Sequence, residues 1–493
     1  MQKILSVWVC AAFLLILSSD QLIAQHDHLT VQIDSLLESY QQRFGIPGLA
    51  VAITDKETIL YANAFGVQDL NTGKPLSPAH IFHMASVSKP FSAIAIMQLV
   101  EQGLMDLDER LVTYLPYFKL DDPRYKEITI RQMLQHNAGM PDEDDYEWEK
   151  PQYDEGAAER YVRSLSKETL IASPGEKWEY SNIAFDVLGD VIAKVSGKPF
   201  EVYINEHILS PLEMDKSSFL IEEIETPLRT SPHVGFGHMT VSEVYPYNWR
   251  HAPSSTLNAN VIEMAHWGIA NLNKGIYKEA RILSEESYDS LWDPSVHLWG
   301  DRYNGLSWFI DTYKGDKTVE HGGRDTGYTS YFTLLPELGY SLTIACNDYF
   351  GPVLDIRNGL IDLLKGRAPA ISLTSMYDEF DKLYKTAGFE AARMHYKHIE
   401  KTNPDGYVFG WNELNAYGRF HMNTLEEYQL ALDVFTFNAD LYPEESGVYS
   451  SLGDLYTKLE QRDHALVNYR KALALEPDNE GIISKIAQLK EEK

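Results

Sequence analysis

The chain has 493 residues, and its 43 basic and 72 acidic side chains leave a formal net charge of −29 at pH 7. This acidic balance argues against nucleic acid and anionic membrane surfaces as partners. Hydrophobic residues make up 44% of the chain and charged residues 23%, which is a globular composition and excludes a disordered or fibrous protein. The length predicts two or three domains.

The first 24 residues have the features of a secretory signal peptide. Lys3 gives a positive start, an apolar run extends from Ile4 to Leu17, and Leu22-Ile23-Ala24 ends in a small residue suited to cleavage. The alternative is an uncleaved anchor, but the run is shorter than the ~20 residues that span a bilayer. We therefore expect cleavage of residues 1–24, a periplasmic or secreted protein, and no stable membrane insertion afterwards.

Residues 25–365 combine strand and helix patterns. Only Cys346 remains after cleavage, so this region has no internal disulfide and depends on apolar burial. Two β-hairpins and two helices are predicted, in chain order, from residues 48–62 (hairpin), 91–103 (helix), 182–197 (helix) and 328–346 (hairpin). Strands at both ends with helices between them indicate an α+β fold.

The rest of the chain is predicted to be helical. Residues 366–411 form a helix-prone connector, and residues 412–493 contain an internal repeat, with Pro443 and Pro477 at the spacing of tetratricopeptide helix pairs. The second copy matches best, while the first is degenerate and keeps Leu414, Gly418, Ala431 and Phe435. Residues 412–480 thus resemble the tetratricopeptide family, which leaves two alternatives: a helical cap without a ligand, or a surface for a protein partner.

Three short motifs carry candidate chemistry, and each occurs twice. Ser-x-x-Lys occurs at Ser86 and Ser164, Tyr-x-Asn at Tyr61 and Tyr180, and His-x-Gly at His233 and His321. In Ser-x-x-Lys the lysine follows one helical turn after the serine, so its amine can take the hydroxyl proton. Sequence context selects one set, because Ser86-Val87-Ser88-Lys89 precedes the apolar helix, Tyr180-Ser181-Asn182 opens another, and His321-Gly322-Gly323 leads into the second hairpin.

The order Ser-x-x-Lys, Tyr-x-Asn, His-x-Gly resembles the class C β-lactamase and penicillin-binding serine hydrolase superfamily. The stretches 128–141, 174–182 and 321–330 are also similar to segments of this family. The resemblance implies an antiparallel β-sheet packed by helices, a helical subdomain, and an active site between them.

The resemblance also assigns roles to the residues of these motifs. Ser86 is the expected nucleophile, and Lys89 and Tyr180 are expected to share the proton transfer. The two groups should titrate as a unit, and the pKa of at least one of them must be lowered toward neutrality. Asn182 is expected to orient the acyl group. The backbone N–H groups of Ser86 and Arg324, the latter just after Gly323, are expected to form the oxyanion hole.

The chain departs from the β-lactamase pattern at His321, where β-lactamases and D-alanyl-D-alanine carboxypeptidases carry a carboxylate-binding lysine. Members with His-x-Gly resemble D-aminopeptidases and esterases, so efficient β-lactam hydrolysis is not expected. Arg324 either replaces the missing positive charge or forms a salt bridge with Asp325. Between Asp142 and Glu155, eight acids are interleaved with three aromatic residues. We hypothesise that this acidic segment either favours neutral or cationic substrates at the site or is an ordinary solvated loop.

No metal or cofactor is predicted. His26, His28, His233 and His238 have no carboxylate or cysteine partners at ligand spacing. The sequence therefore predicts a serine hydrolase that cleaves an amide or ester bond of a small molecule or peptide through an acyl-serine, closer to an esterase or D-amino-acid peptidase than to a β-lactamase. The alternative is an inert fold of this class that acts as a scaffold through its tetratricopeptide-like tail.

Overall fold

A computed structural model describes residues 28–143, 145–235 and 239–491, with side chains up to residue 489. The predicted signal peptide, His26 and His238 lie outside the described residues. The described chain divides into two compact units, the first holding most residues up to Ile371 and the second beginning at Ser372. The boundaries predicted at residues 24, 365 and 411 stay predictions.

The first unit is built around one nine-stranded antiparallel sheet. Its strands are β1 Gly48–Thr54, β2 Ile59–Asp69, β3 Lys74–Pro75, β4 Val296–Trp299, β5 Arg302–Asn304, β6 Phe309–Tyr313, β7 Asp316–Asp325, β8 Tyr328–Leu335 and β9 Tyr340–Cys346. Their order across the sheet is β4-β5-β6-β7-β8-β9-β1-β2-β3. Three further ladders have two residues in each strand and pair 82–83 with 258–259, 233–234 with 240–241, and 276–277 with 280–281. Both predicted hairpins are confirmed, as β1–β2 and β8–β9.

Helices cover both faces of this sheet. The helices of the first unit are α1 (28–43), α2 Lys89–Glu101, α3 Leu111–Tyr114, α4 Ile130–Leu134, α5 Ala157–Ser164, α6 Asn182–Ser196, α7 Phe200–Ile204, α8 Ala252–Ser255, α9 Val261–Leu272, α10 Glu285–Leu291 and α11 Val353–Leu364. On β1, Ala50 and Ala52 belong to the core on the α2 and α9 side, whereas Leu49, Val51 and Ile53 pack with α1 and α11. All seven residues of β1 are buried, which explains its continuous apolar sequence.

Two buried helices position the candidate site. Helix α2 is buried along nearly its whole length, and its Phe91 ring stacks on Trp267 with 3.8 Å between centroids. Helix α6 begins after Ser181, whose hydroxyl caps the Ala184 N–H, and ends at Gly197 in the left-handed conformation. Both predicted helices are thus confirmed, and the α+β class with an antiparallel sheet packed by helices is confirmed with them.

Among the described residues of the second unit, the regular secondary structure is helical apart from one isolated bridge. Its helices are α12 Tyr377–Ala387, α13 Phe389–Thr402, α14 Trp411–Asn423, α15 Tyr428–Leu441, α16 Ser446–Lys458, α17 Arg462–Leu475 and α18 Glu480–Glu491. Two successive helix pairs repeat one contact: a Cβ on Gly418 would lie 2.4 Å from the Phe435 ring, and one on Gly453 would lie 2.4 Å from the Tyr469 ring. The missing side chain lets the two helices of each pair approach closely.

Candidate active site

The turn that leads into α2 presents Ser86 beside Lys89. Residues Ala85–Ser88 form a 3₁₀ turn, and Lys89 is the first residue of the α-helix. The Lys89 Nζ donates to Ser86 Oγ at 2.9 Å. Ala85 has a φ of +48°, a left-handed conformation that is uncommon outside glycine and is often found at functional sites. The geometry gives the serine hydroxyl an amine neighbour to which its proton can pass.

Lys89 is held in a fully buried position by three acceptors. Besides Ser86, its ammonium group donates to the side-chain oxygen of Asn182 and to the Ser254 carbonyl at 2.8 Å. Burial lowers the pKa of Lys89 to about 8, although the negative charges of Asp186 and Asp142 oppose this shift. At pH 7 about one tenth of the amine is therefore unprotonated and can act as a base.

Tyr180 completes the predicted catalytic trio. Its hydroxyl shares a hydrogen bond with Ser86, and the Lys89 Nζ lies 5.0 Å from the centre of its ring. The ring stacks on His136 with centroids 4.2 Å apart. Burial raises the pKa of Tyr180 above its usual range, and the hydrogen bond with Ser86 only partly opposes this. Tyr180 is therefore a neutral phenol here, and of the pair only Lys89 has a pKa suited to a base.

The Asn182 amide is held at both ends. Its Nδ2 donates to Asp142 Oδ1 at 2.9 Å, and its backbone N–H donates to the same oxygen at 2.7 Å. A carboxylate accepts only, and the Lys89 ammonium donates only, so these partners fix which end of the amide faces each of them. Asp142 thus turns the Asn182 oxygen toward Lys89.

Strand β7 brings the third motif to Ser86. His321, Gly323 and Arg324 lie within this strand, which leads into the β8–β9 hairpin as their sequence position indicates, and they pair with Phe332, Ser330 and Thr329 on β8. On the other side, β6 pairs with β7 only as far as Glu320. Within the described residues, β7 beyond Glu320 is therefore paired with a strand on one side only. The backbone N–H groups on its other side can then serve as oxyanion donors.

Gly323 allows β7 to approach the Ser86 turn. A Cβ at this position would lie 2.4 Å from the Met84 carbonyl oxygen and 2.9 Å from the Ser86 nitrogen. Both are backbone atoms, so a side chain would push the strand and the turn apart. The close approach places the Ser86 N–H and the backbone around Arg324 in one neighbourhood, which fits the predicted oxyanion hole.

His321 is buried and neutral. Burial, reinforced by the nearby charge of Lys89, lowers the pKa of His321 to about 3. Its Nδ1 lies 2.8 Å from the Gly322 carbonyl oxygen, and because a carbonyl only accepts, Nδ1 carries the proton. The Nε2 atom is left as an acceptor, and it has no partner among the described residues. His321 therefore presents a hydrogen-bond acceptor where β-lactamases carry a cation.

Arg324 is exposed, and its guanidinium lies 5.6 Å from the Tyr349 ring and 5.8 Å from the Phe350 ring. Asp325 is bonded instead to His83 Nε2 at 2.8 Å and to the Ser255 hydroxyl. The structure thus does not show the predicted alternative of an Arg324–Asp325 salt bridge. Asp325 also acts electrostatically on Lys89, which adds a third carboxylate around the amine.

The second copies of the motifs lie elsewhere and have structural partners. The Ser164 hydroxyl donates to the Tyr161 carbonyl, and the Tyr61 hydroxyl donates to Asp34 on the other face of the sheet. His233 accepts from the Leu70 N–H through Nε2 and bonds the Asn347 carbonyl through Nδ1. Sequence context therefore selected the copies that the fold brings together.

The acidic segment 142–155 starts at this site. Asp142 bonds Asn182, Glu143 accepts from Tyr161, and Glu147 pairs with Arg250. The charge of Glu147 is therefore balanced by a cation within the fold, and so is that of Asp154, which pairs with Arg160, whereas Asp142 and Glu143 accept from neutral donors. Tyr146 also belongs to this segment. Burial, reinforced by the negative charges of Asp325 and Asp142, raises the pKa of its hydroxyl, so Tyr146 lies next to the groups around Lys89.

Four residues around the site were not assigned roles from the sequence. His136 accepts from the Ser181 N–H through Nδ1, so its own proton lies on Nε2. His251 bonds the buried carboxylate of Asp186 at 2.7 Å, and Ser254 supplies a carbonyl to Lys89. His136 lies in a family-like segment and was within reach of sequence analysis, whereas no local pattern marks Asp186 or Ser254.

Two negative findings concern the described residues alone. No group of three or more His, Cys, Asp or Glu side chains there is arranged to hold a metal ion. No helix in that part of the chain has both the length and the apolar character needed to cross a bilayer.

The sheet, the buried helices and the Ser86–Lys89–Tyr180 cluster define the β-lactamase and penicillin-binding class of fold. The model of the family described as Beta-lactamase matches residues 33–365, and the chain belongs to that family. Protein flp of Staphylococcus aureus (strain MW2) is 25% identical over 357 residues, which cover 71% of this chain and 70% of the relative.

Solved structures show the same fold. The octameric penicillin-binding protein homologue from Pyrococcus abyssi superposes with a TM-score of 0.62 at 24% identity, covering 72% of this chain and 81% of the other. The D-amino acid amidase from Ochrobactrum anthropi SV3 gives a TM-score of 0.59 at 20% identity, covering 68% of this chain and 98% of the other.

Proposed function

We propose that this protein is a serine hydrolase that forms an acyl-enzyme on Ser86 and cleaves an amide or ester bond. The observation that carries the proposal is the buried Lys89 amine, with a pKa lowered to about 8, at 2.9 Å from Ser86 Oγ. A structural lysine would gain nothing from such complete burial against a serine hydroxyl, whereas a general base needs a pKa near neutrality.

The proposed reaction has two halves. Ser86 Oγ attacks the carbonyl carbon while its proton passes to Lys89 Nζ, and the negative oxygen is stabilised by the backbone N–H groups of Ser86 and Arg324. The leaving amine or alkoxide departs with that proton, relayed through the Tyr180 hydroxyl. Water then attacks the acyl-serine, with Lys89 again as base, and releases the acid.

Substrate preference follows from the charges around Ser86. Asp142, Asp186 and Asp325 are all close enough to act on Lys89, and His321 presents an acceptor rather than a positive charge. Apart from the exposed Arg324 guanidinium, which lies against the Tyr349 and Phe350 rings, the charged groups next to Lys89 are carboxylates, so a neutral or cationic group that carries N–H donors is complementary. This supports an esterase or a D-amino-acid-type peptidase over an efficient β-lactamase, in line with the fold shared with a D-amino acid amidase.

The first experiment is intact-mass analysis of the mature protein after treatment with a fluorophosphonate probe and, separately, with a penicillin. We expect a fluorophosphonate adduct that is lost in Ser86→Ala, and little or no penicillin adduct. A probe adduct that persists in Ser86→Ala would reject this nucleophile. No adduct at all would favour the inert scaffold with a partner-binding tail.

A second comparison tests the charge preference. Amino-free and amino-blocked versions of one peptide or amide substrate are hydrolysed at low salt, where electrostatic effects are largest. We expect faster turnover of the amino-free form. Equal rates would contradict the proposed preference while leaving the nucleophile intact.

Secretion to the periplasm or beyond and a protein partner for residues 412–480 are further proposals. Export is supported by the pattern of residues 1–24, and partner binding by the repeated helix pairs of the second unit. Fractionation of the native host, and capture with the whole chain compared with a form that ends at residue 371, are the corresponding tests.

A further inference from the structure

A cavity of about 680 Å³ is lined by residues of the segments 148–153, 221–229 and 243–247. Its walls include four aromatic side chains, Trp148, Tyr153, Tyr245 and Tyr247. The Tyr153 and Tyr247 rings stack with centroids 5.5 Å apart, and Tyr153 is 49% exposed. The volume is in the range of small-molecule sites in proteins.

Two aromatic contacts connect this cavity to the catalytic groups. Trp148 stacks on Tyr146 with centroids 4.6 Å apart, and Tyr146 is close enough to Asp142 and Asp325 to be affected by their charges. On another wall, the Tyr245 ring is 6.2 Å from the His83 ring, and His83 bonds Asp325 at the end of β7. One layer of side chains therefore separates the cavity from the site.

The charge of the cavity is negative. Glu149, Glu222 and Glu243 lie in its lining, and none of the three has an ion pair within the described part of the chain. Among the described residues of the lining the one cation is Arg229, whose Nε and Nη2 both donate to the Ile224 carbonyl at 2.9 and 2.6 Å. In this part of the chain three carboxylates without an ion pair thus share the lining with one guanidinium that is already held by the backbone.

Aromatic faces combined with unpaired carboxylates are complementary to a bulky organic cation. The negative face of a Tyr or Trp ring attracts a substituted ammonium group, whose alkyl groups also bury apolar surface against the ring. An inorganic cation would keep its water shell and gain little from the rings, and an anion would be repelled by the carboxylates.

We propose that this cavity binds a substituted ammonium group of a small organic molecule. Binding of the cation requires no catalysis, so the proposal stands apart from the hydrolase function and can be tested separately.

The binding test compares choline with 3,3-dimethylbutan-1-ol, a neutral alcohol of the same shape, by titration calorimetry on the full chain. We expect choline to bind about 3- to 30-fold more tightly than the alcohol. The same preference is expected in Ser86→Ala, because the cavity does not use the nucleophile.

Matched variants locate the binding. Tyr153→Leu removes an exposed ring and Glu149→Gln with Glu243→Gln removes two exposed charges, whereas Trp299→Leu and Glu337→Gln are the controls at exposed positions outside the cavity. We expect each cavity variant to weaken choline binding about 3- to 10-fold without weakening binding of the alcohol. The loss of choline affinity in the double glutamate variant should become smaller at high salt. Equal affinities for choline and the alcohol, or equal losses in cavity and control variants, would overturn the proposal.

Discussion

The carboxylate of Asp142 and the amide of Asn182 meet at two points, because Asp142 Oδ1 accepts from both the backbone N–H and the side-chain Nδ2 of Asn182. This contact directs the amide oxygen to the Lys89 ammonium. Asp142 comes from the segment after α4 and Asn182 is the first residue of α6, so two distant parts of the chain together position the base.

Asp142 is therefore expected to be a positioning residue. In Asp142→Ala the Asn182 amide loses its anchor, and we expect kcat/KM for acylation to fall about 10- to 100-fold. The midpoint of the pH–rate profile should also move down, because the Asp142 charge opposes the lowering of the Lys89 pKa. Asp142→Asn keeps an acceptor oxygen and should recover part of the rate.

The matched control for this prediction is Asp145→Ala. Asp145 is a neighbouring exposed acid whose carboxylate accepts only from the Glu147 N–H. We expect near-normal rates and an unmoved pH midpoint. Similar losses in the two variants would mean that the acidic segment acts only as a whole.

The pH dependence of acylation should report Lys89. Its folded pKa is lowered to about 8 by burial, so the protonated form predominates below that pH and cannot accept the Ser86 proton. The labelling rate with a neutral fluorophosphonate should rise with pH, level off above about pH 8, and be roughly 100-fold below the plateau at pH 6. Rates measured from pH 5.5 to 10 test this, with Lys89→Met as the inactive control. A midpoint near 10.5 would show an ordinary lysine.

Replacing the acceptor at His321 by a cation should change substrate preference. In His321→Lys an ammonium group stands where Nε2 offers a lone pair, so substrates with a carboxylate should gain relative to amino-free substrates by about tenfold or more in the ratio of kcat/KM. Penicillin adduct formation on Ser86 should increase in parallel. His321→Gln, which stays neutral, serves as the comparison, and the same ratio in both variants would reject a charge effect.

Gly323→Ala tests the approach of β7 to the Ser86 turn. The added Cβ would collide with the Met84 oxygen and the Ser86 nitrogen, so acylation should fall at least about 100-fold as the oxyanion donors move apart. The neighbouring Gly322→Ala places its Cβ against the Tyr331 ring, away from Ser86, and should cost stability without a comparable loss of rate. Labelling rates and denaturant unfolding of both variants distinguish the two effects.

The helix pairs of the second unit predict whether a glycine-to-alanine substitution raises or lowers the free energy of unfolding. Gly453→Ala places a Cβ 2.4 Å from the Tyr469 ring, and we expect this unit to be destabilised by about 1–3 kcal/mol although alanine is the better helix former. Gly481→Ala in α18, with only an ordinary contact to Asn479 at 3.4 Å, should be neutral or stabilising. Unfolding of the full chain, followed by a probe in each unit, measures both. Equal effects of the two substitutions on the free energy of unfolding would mean that helices α16 and α17 are loosely packed.

The sequence by itself determined the features that are local in the chain. The one-turn spacing of Ser86 and Lys89, the apolar period of α2 and α6, and the two hairpins with apolar strands all follow from short stretches of residues. The strands β4 to β6 escaped prediction because they are short and only partly buried, so no continuous apolar run marks them.

Tertiary structure decided the chemistry of these residues. The pKa of Lys89, the acceptor character of His321 Nε2 and the orientation of Asn182 each depend on burial or on a partner that lies far away in the chain. The cavity lined by Trp148 and Tyr245 likewise joins segments about a hundred residues apart. A motif fixes which groups are present, but the desolvation and hydrogen bonds that set their protonation and direction come from segments that meet only after folding.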